Sequence, residues 1–345
     1  MNKTRSEIFS QCDALKTTLA ELDRKQDEIR AFFSGADFNK IVFTGCGSSY
    51  CVAKSAAAAA LVRYGKPSYA LCSGDLFLNA DTYRDFLNGA ALVSFSRSGC
   101  TSEVILAVNK FREFYPSAPY VSVCEMTGSE LSKTAGFVIE LPWAYDESVC
   151  QTRSVSNMYL AGVSLAGILA RDEKYLQSLS DTVAFGSGFI EEHNAEFERI
   201  ASLGWESAVV LADGILEGIG EEAALAFKEI CMIPSNYYHF LDVRHGPIVL
   251  INEKTLVIAA LSPGDNDYQL KLVEDILNKG ATVISLGGGD QPTSAHRAIQ
   301  LPADCSFAAR GLPLVFTAQL VSFYKAVLNG VNPDEPNGLS AWIAL

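Results

Sequence analysis

Two doubly wound α/β domains with parallel sheets, related by internal duplication, are what this 345-residue sequence predicts. Three observations carry the prediction. Short β-rich runs alternate with helix-length segments, the order strand, glycine turn, helix returns in the second half, and about 50 residues separate the first-strand turn from the third-strand loop in each half. The expected organisation is a helical N-terminal segment over 1–34, a first domain over 35–171, a helical linker over 172–202 and a second domain with a C-terminal tail over 203–345.

Residues from about Arg5 to Phe33 read as amphipathic helix. "KIVFTGCGSSY" is a β-rich run ending in a glycine turn, and "CVAKSAAAAALVRYG" is a helix closing on Gly65. "PSYALCSGDLF" and "AALVSFSRSG" supply two further strands, "TSEVILAVNKFREF" a helix, and "PYVSVCEM" and "FVIELPW" the last two strands of this half. "AGVSLAGILA" reads as a buried helix. After the linker, "SAVVLADGILEGIGEEAALAFKEI" is again strand, turn and helix, "TLVIAALSPGDNDYQLKLVEDILNKG" strand, loop and helix, and "TVISLG" and "AIQLP" are strands. Such alternation implies parallel pairing through right-handed crossovers.

The composition, 49 % hydrophobic and 19 % charged, is that of a globular protein. A formal net charge of −13 speaks against nucleic acid as a partner, because backbone binding depends on clustered Lys and Arg. Nine scattered cysteines without a C-x-x-C pair point to free thiols in a reduced compartment. The polar, helix-prone N-terminus lacks the apolar core of a signal peptide, and no apolar run approaches the length of a spanning helix, so the expected location is cytoplasmic, with no membrane partner. His193, His239, His245 and His296 lie in unlike contexts, and neither metal nor cofactor is expected.

The chemistry concentrates in "VSFSRSGCTSE". A buried strand runs into Ser96, Arg97, Ser98, Gly99, Cys100 and Thr101 and then into a helix. Gly99 permits a positive-φ turn, the helix N-terminus offers unpaired N–H groups with partial positive charge, and the hydroxyls add donors, an arrangement that suits a phosphate dianion. Simple N-capping by Ser98 or Thr101 is the alternative. Gly47, Ser48 and Ser49 after the first strand tilt the reading toward a ligand. "GCGSS" also resembles a dinucleotide turn, but it lacks the G-x-G-x-x-G spacing. The counterpart loop "LSPGDND" carries Asp265 and Asp267 and few hydroxyls, so only the first half looks fit to hold phosphate.

Together "TGCGSSY" and "SFSRSGCTSE" resemble the signature of the sugar isomerase (SIS) phosphosugar-binding family, and "ESVCQTRS", "EEAALAFKEI", "VRHGPIVLI" and "NPDEPNGLSAWIAL" extend the likeness over nearly the whole chain. The chain is similar to the isomerase domain of glucosamine-6-phosphate synthase and to stand-alone amino-sugar-phosphate deaminases and deglycases. The resemblance implies two SIS domains, a phosphate gripped by Ser96, Ser98 and Thr101, a sugar contacted by Ser49, Val149 and Gln151, a proton-transfer carboxylate at Glu229 and a ring-opening histidine at His245. It also implies a homodimer or higher homo-oligomer with sites near the subunit interface. The types suit the work: one carboxylate can take and return the proton that moves between carbons 1 and 2, and His titrates near neutral pH. Glu222 and Glu229 are spaced i, i+7 on the expected helix, so both belong to one face.

The departures are informative. Arg97 stands where the synthase has glutamine, which suggests extra grip on phosphate or a second anionic group on the substrate, and Gln151 replaces a serine. In the tail, Ala341 takes the place of the Schiff-base lysine, with Ser340 beside it, and Ala226 replaces the lysine three residues before the carboxylate. Without an N-terminal cysteine nucleophile after Met1, glutamine amidotransfer is not expected. The expected activity is therefore that of a phosphosugar isomerase acting by enolisation at carbons 1 and 2 of a ketose, aldose or amino-sugar 6-phosphate, with deamination or deglycation as further outcomes. The alternative is a non-catalytic sugar-phosphate-binding regulator.

Overall fold

The computed structural model describes residues 2–264, 266–289, 294–342 and 345. Asp265, one of the acidic residues contrasted above with the hydroxyls of the first loop, lies outside them. The chain forms two compact units, one of Ser10–Glu147, Gln151–Ser180 and Ser340–Leu345, the other of Met1–Phe9, Ser148–Cys150 and Asp181–Leu339.

The elements of the first unit follow the expected alternation: α1 (Lys3–Ser34), whose first residues belong to the second unit, then β1 (Lys40–Gly45), α2 (Ser48–Arg63), β2 (Ser68–Cys72), α3 (Ser73–Leu78), α4 (Ala80–Leu87), β3 (Ala90–Ser96), α5 (Ser102–Phe114), β4 (Tyr120–Cys124), α6 (Glu130–Thr134), β5 (Phe137–Glu140) and α7 (Arg153–Ala170). The sheet is wholly parallel, in the order β2-β1-β3-β4-β5. All residues of β3 and β4 are buried, as strands covered on both faces must be, and for that reason they read as near-continuous apolar runs. One face packs Val42, Leu92, Val104, Val108 and Phe111 into a core under α5. On the other, the alanine-rich α2 meets α7 closely enough that a Cβ at Gly162 would come within 3.0 Å of both Ala56 and Phe95.

The stretch of the expected linker is one helix, α8 (Glu173–Ala201), whose residues up to Ser180 belong to the first unit, and the second unit continues with β6 (Ser207–Leu211), α9 (Glu217–Ile230), β7 (Ser235–Tyr238), β8 (Thr255–Ala260), α10 (Asp267–Asn278), β9 (Thr282–Gly287), β10 (Arg297–Gln300) and α11 (Gly311–Leu328). Its parallel sheet has the order β10-β9-β8-β6-β7, which read from the other edge is the order of the first sheet. The short edge strand β7 is absent from the sequence-based assignment, and it completes the repeat. Val209, Leu211, Val257, Leu272 and Ile276 form the core on one face, and α9 packs against α11.

One expectation is corrected. Helix α11 is long and apolar enough by composition to cross a membrane, although 89 % of that stretch is buried inside the protein. Its polar residues interrupt the apolar run in the sequence yet are buried too: Thr317 donates to the Pro313 carbonyl, and the Lys325 ammonium donates to the Leu203 carbonyl while lying 4.1 Å from the centre of the Trp205 ring. All nine cysteines are free thiols.

Candidate active site

In the first sheet the chain winds from β1 outward to β2 and then returns to β3 on the other side, so the carboxyl ends of β1 and β3 flank the point where the winding reverses. Open α/β sheets leave a ligand crevice at that point. The two segments singled out from the sequence, 45–49 and 96–101, are the loops that leave those two strand ends.

The turn after β1 depends on two glycines. At Gly45 a Cβ would lie 2.6 Å from the backbone carbon of Ser49, so the strand end and the first turn of α2 are in direct contact. Gly47 adopts φ +52° and ψ −128°, and the N–H groups of Tyr50 and Cys51 bond its carbonyl. Ser48 and Ser49 then open α2, both buried. Cys46 in this turn is not a nucleophile at neutral pH, since burial pushes its thiol up to about 11, helped by Cys72 and Glu103.

The loop after β3 is folded on its own hydroxyls. The Gly99 N–H donates to Ser96 Oγ at 3.0 Å and the Cys100 N–H to Ser98 Oγ at 3.1 Å. A hydroxyl that accepts from the backbone keeps its own hydrogen to give. Gly99 has φ +61°, and a Cβ there would meet Ser129 Oγ at 2.1 Å, so no other residue fits without displacing Ser129 from its capping bond to the Ser132 N–H. Thr101 occupies the N-cap position of α5, yet its side chain makes no capping bond. The capping alternative therefore does not account for the Thr101 hydroxyl.

Arg97 is buried at the centre of this loop, and its guanidinium donates to the Ala341 carbonyl at 2.5 Å. The Leu345 N–H donates to Ser102 Oγ at 3.1 Å, at the start of α5, and Ser340 is exposed. Asp146, which lies outside every motif of the sequence, organises the segment before α7. Its Oδ2 accepts from the Thr152 N–H at 2.7 Å, the Ser154 N–H at 2.9 Å and the Ser154 hydroxyl at 2.6 Å. Gln151 is half-buried within this segment, and its side-chain carbonyl accepts from Ser154 at 3.2 Å, which leaves its amide hydrogens to donate. Val149 belongs to the second unit, where its N–H bonds the Asp334 carbonyl at 3.0 Å.

The corresponding reversal point of the second sheet, between β6 and β8, is occupied by side chains. Asp213, two residues after β6, accepts from Gln269 Nε2 at 3.0 Å and from the Phe240 N–H at 3.2 Å, and it faces His239 Nδ1 at 3.1 Å. Gln269 also bonds Ser262, after β8, through both its amide nitrogen and its carbonyl. A bonded carboxylate repels an anion where the first sheet presents hydroxyls, which gives the expected asymmetry of the repeat a physical basis. Glu229 is half-buried in the last turn of α9, two turns beyond the buried Glu222, and Ala226 is buried between them. His245 is exposed at the end of a one-turn 3-10 segment, its N–H bonded to the Asp242 carbonyl at 2.9 Å.

Residues 203–328 match the family model of the SIS domain. The second half of this chain is a SIS domain. It contains Glu229 and His245, whereas the hydroxyl-lined loop lies in the first half, whose sheet has the same strand order as the SIS domain. Over 97 % of its length the chain is similar to isomerizing glutamine–fructose-6-phosphate aminotransferases, 25 % identical to that of Legionella pneumophila strain Paris and 26 % to that of Brucella abortus. It spans 57–58 % of the length of those relatives. Among solved structures, the tagatose-6-phosphate ketose/aldose isomerase of Escherichia coli aligns with a TM-score of 0.87 at 22 % identity, covering 99 % of this chain and 96 % of that one. The glucosamine-6-phosphate deaminase of Thermotoga maritima aligns with a TM-score of 0.82 at 22 % identity over 100 % of both chains. These likenesses show the same α/β fold over nearly the whole chain.

Proposed function

We propose that the protein is a phosphosugar isomerase that binds a ketose, aldose or amino-sugar 6-phosphate through the loop after β3 and enolises it at carbons 1 and 2. The observation that carries the reading is the loop itself, in which Ser96 and Ser98 accept from the loop backbone and retain their hydrogens, and Thr101 stands at the helix N-cap without a capping bond. Ser48 and Ser49 extend the donor set across the crevice. In the proposed reaction His245 gives a proton to the ring oxygen, and Glu229 then removes the proton on carbon 2 of an aldose and returns it to carbon 1 of the enediol. With an amino sugar the enolamine becomes an imine on reprotonation, and water hydrolyses it to release ammonia or an amine. The names of the structural neighbours, a ketose/aldose isomerase and a deaminase, support both outcomes. Ala341 and Ala226, neither able to form an imine, support a route without a lysine Schiff base.

A thermal-shift screen against hexose, hexosamine and fructosamine 6-phosphates tests the reading, because a ligand held by the native state raises the melting temperature by mass action. At a concentration 100 times its Kd, one of them is expected to stabilise the protein by about 2.7 kcal/mol. No shift with any of them would reject the phosphosugar reading, and a shift without exchange of substrate hydrogen into deuterated water would make the protein a sensor.

The reading extends to a homo-oligomer. His245 shares its surface segment with Leu241, Val249 and Leu250, which are 47 %, 76 % and 69 % exposed, an apolar grouping of the kind that association covers. Sedimentation of the purified protein is expected to give a dimer or larger species, and a monomer at micromolar concentration would withdraw this part.

A further inference from the structure

Glu125 follows directly on β4, next in the sheet to the strand that carries the hydroxyl loop, and its N–H bonds the Arg97 carbonyl at 3.2 Å. It is 1 % exposed, and among the described residues neither carboxyl oxygen has a hydrogen-bond partner. A carboxylate stripped of water and given no donor is very costly, whereas the neutral acid in the same place is much less so. The charged groups that face it are Asp146, from the segment after β5, Arg97, from the loop after β3, and Arg153, at the start of α7. Burial first, then Asp146, hold the Glu125 carboxyl well above the usual carboxylate range, against the opposing pull of Arg97 and Arg153.

We infer that Glu125 is a positioning residue of the anion loop, a neutral acid packed beside Arg97 that adds no negative charge where the ligand anion is to bind. Arg97, Arg153 and Asp146 are the charged groups set around it, and a neutral Glu125 leaves their balance unaltered. Were Glu125 ionised, a negative charge would be added beside Arg97 in a water-poor site, where Coulomb forces are least screened. Binding a dianion and keeping the proton on Glu125 are thus linked. The inference rests on the assignment of the loop as the anion site and adds the group that sets its charge.

Two measurements on the protein and on its Glu125→Gln variant test it. The infrared difference between wild type and variant at pH 7 is expected to contain the carbonyl stretch of a protonated carboxylic acid in the wild type, and a carboxylate stretch in its place overturns the inference. Calorimetric titration with sulfate, which stays dianionic across the working pH range, is expected to give a ratio of wild-type to variant dissociation constants that climbs fivefold or more across the pH at which the acid band disappears. A ratio that stays flat while the band disappears overturns the inference and leaves the phosphate assignment of the loop intact. Failure of the wild type to bind sulfate or any hexose 6-phosphate would overturn both.

Discussion

Replacing Glu229 by Gln is expected to lower turnover of the bound hexose phosphate by about 10²- to 10⁴-fold, the range that a single positioned proton-transfer group contributes. The amide has nearly the size of the carboxyl and the same place at the end of α9, so the helix and the core beneath it should stand. What it lacks is a lone pair basic enough to take a proton from carbon. Ligand stabilisation should therefore survive where catalysis does not, and incorporation of deuterium from water at carbon 1 or 2, followed by NMR, should disappear with turnover. Turnover within tenfold of wild type would remove Glu229 from the reaction. Glu222→Gln is the useful companion, because Glu222 shares the helix face but is buried, and loss of folding there with none at Glu229 would separate a structural acid from a chemical one.

Gly45→Ala is expected to destabilise the first unit by at least about 3 kcal/mol, the upper part of the range for overpacking a tight contact. The Cβ would lie 2.6 Å from the Ser49 backbone carbon, 2.7 Å from its carbonyl oxygen and 2.9 Å from its Cβ, so no rotamer change relieves the collision and α2 itself must move. Moving α2 also moves Ser48 and Ser49, so ligand binding should weaken together with stability. For a unit of this size the loss corresponds to a melting-temperature decrease of roughly 6–12 °C by scanning calorimetry. A decrease below 1 °C would show that the turn after β1 is looser than the structure has it.

Much of this was legible in one dimension. The strands β1, β3, β8 and β9 announce themselves as short β-rich runs because both their faces are covered, and the glycine turns announce strand ends because positive φ leaves few other residues possible. The serine-rich loop is equally local, since its hydroxyls, glycine and helix start are consecutive residues. Other features escaped for identifiable reasons. The edge strand β7, "SNYY", has four residues and only one fully buried, too little pattern to read. Helix α11 hides behind polar residues whose partners come from elsewhere in the fold. Asp146 carried a signal that went unused, an Asp shortly before Ser-rich helix-starting residues.

Glu125 carried no signal at all, because an acid after a strand reads as a solvated loop residue wherever it occurs. Only the sheet order reveals that this strand end lies next to the serine-rich loop, and only the packing reveals that water does not reach it. By itself the sequence determined the α/β class, the duplication and the concentration of hydroxyls in the first half, all of which rest on periodicity and on neighbours along the chain. The tertiary structure decided which strand ends meet, that the second reversal point is filled by Asp213 and Gln269, and that a buried acid stands beside Arg97. The physical reason is that charge and solvation at a site depend on groups distant in sequence, and these become neighbours only when the sheet is assembled.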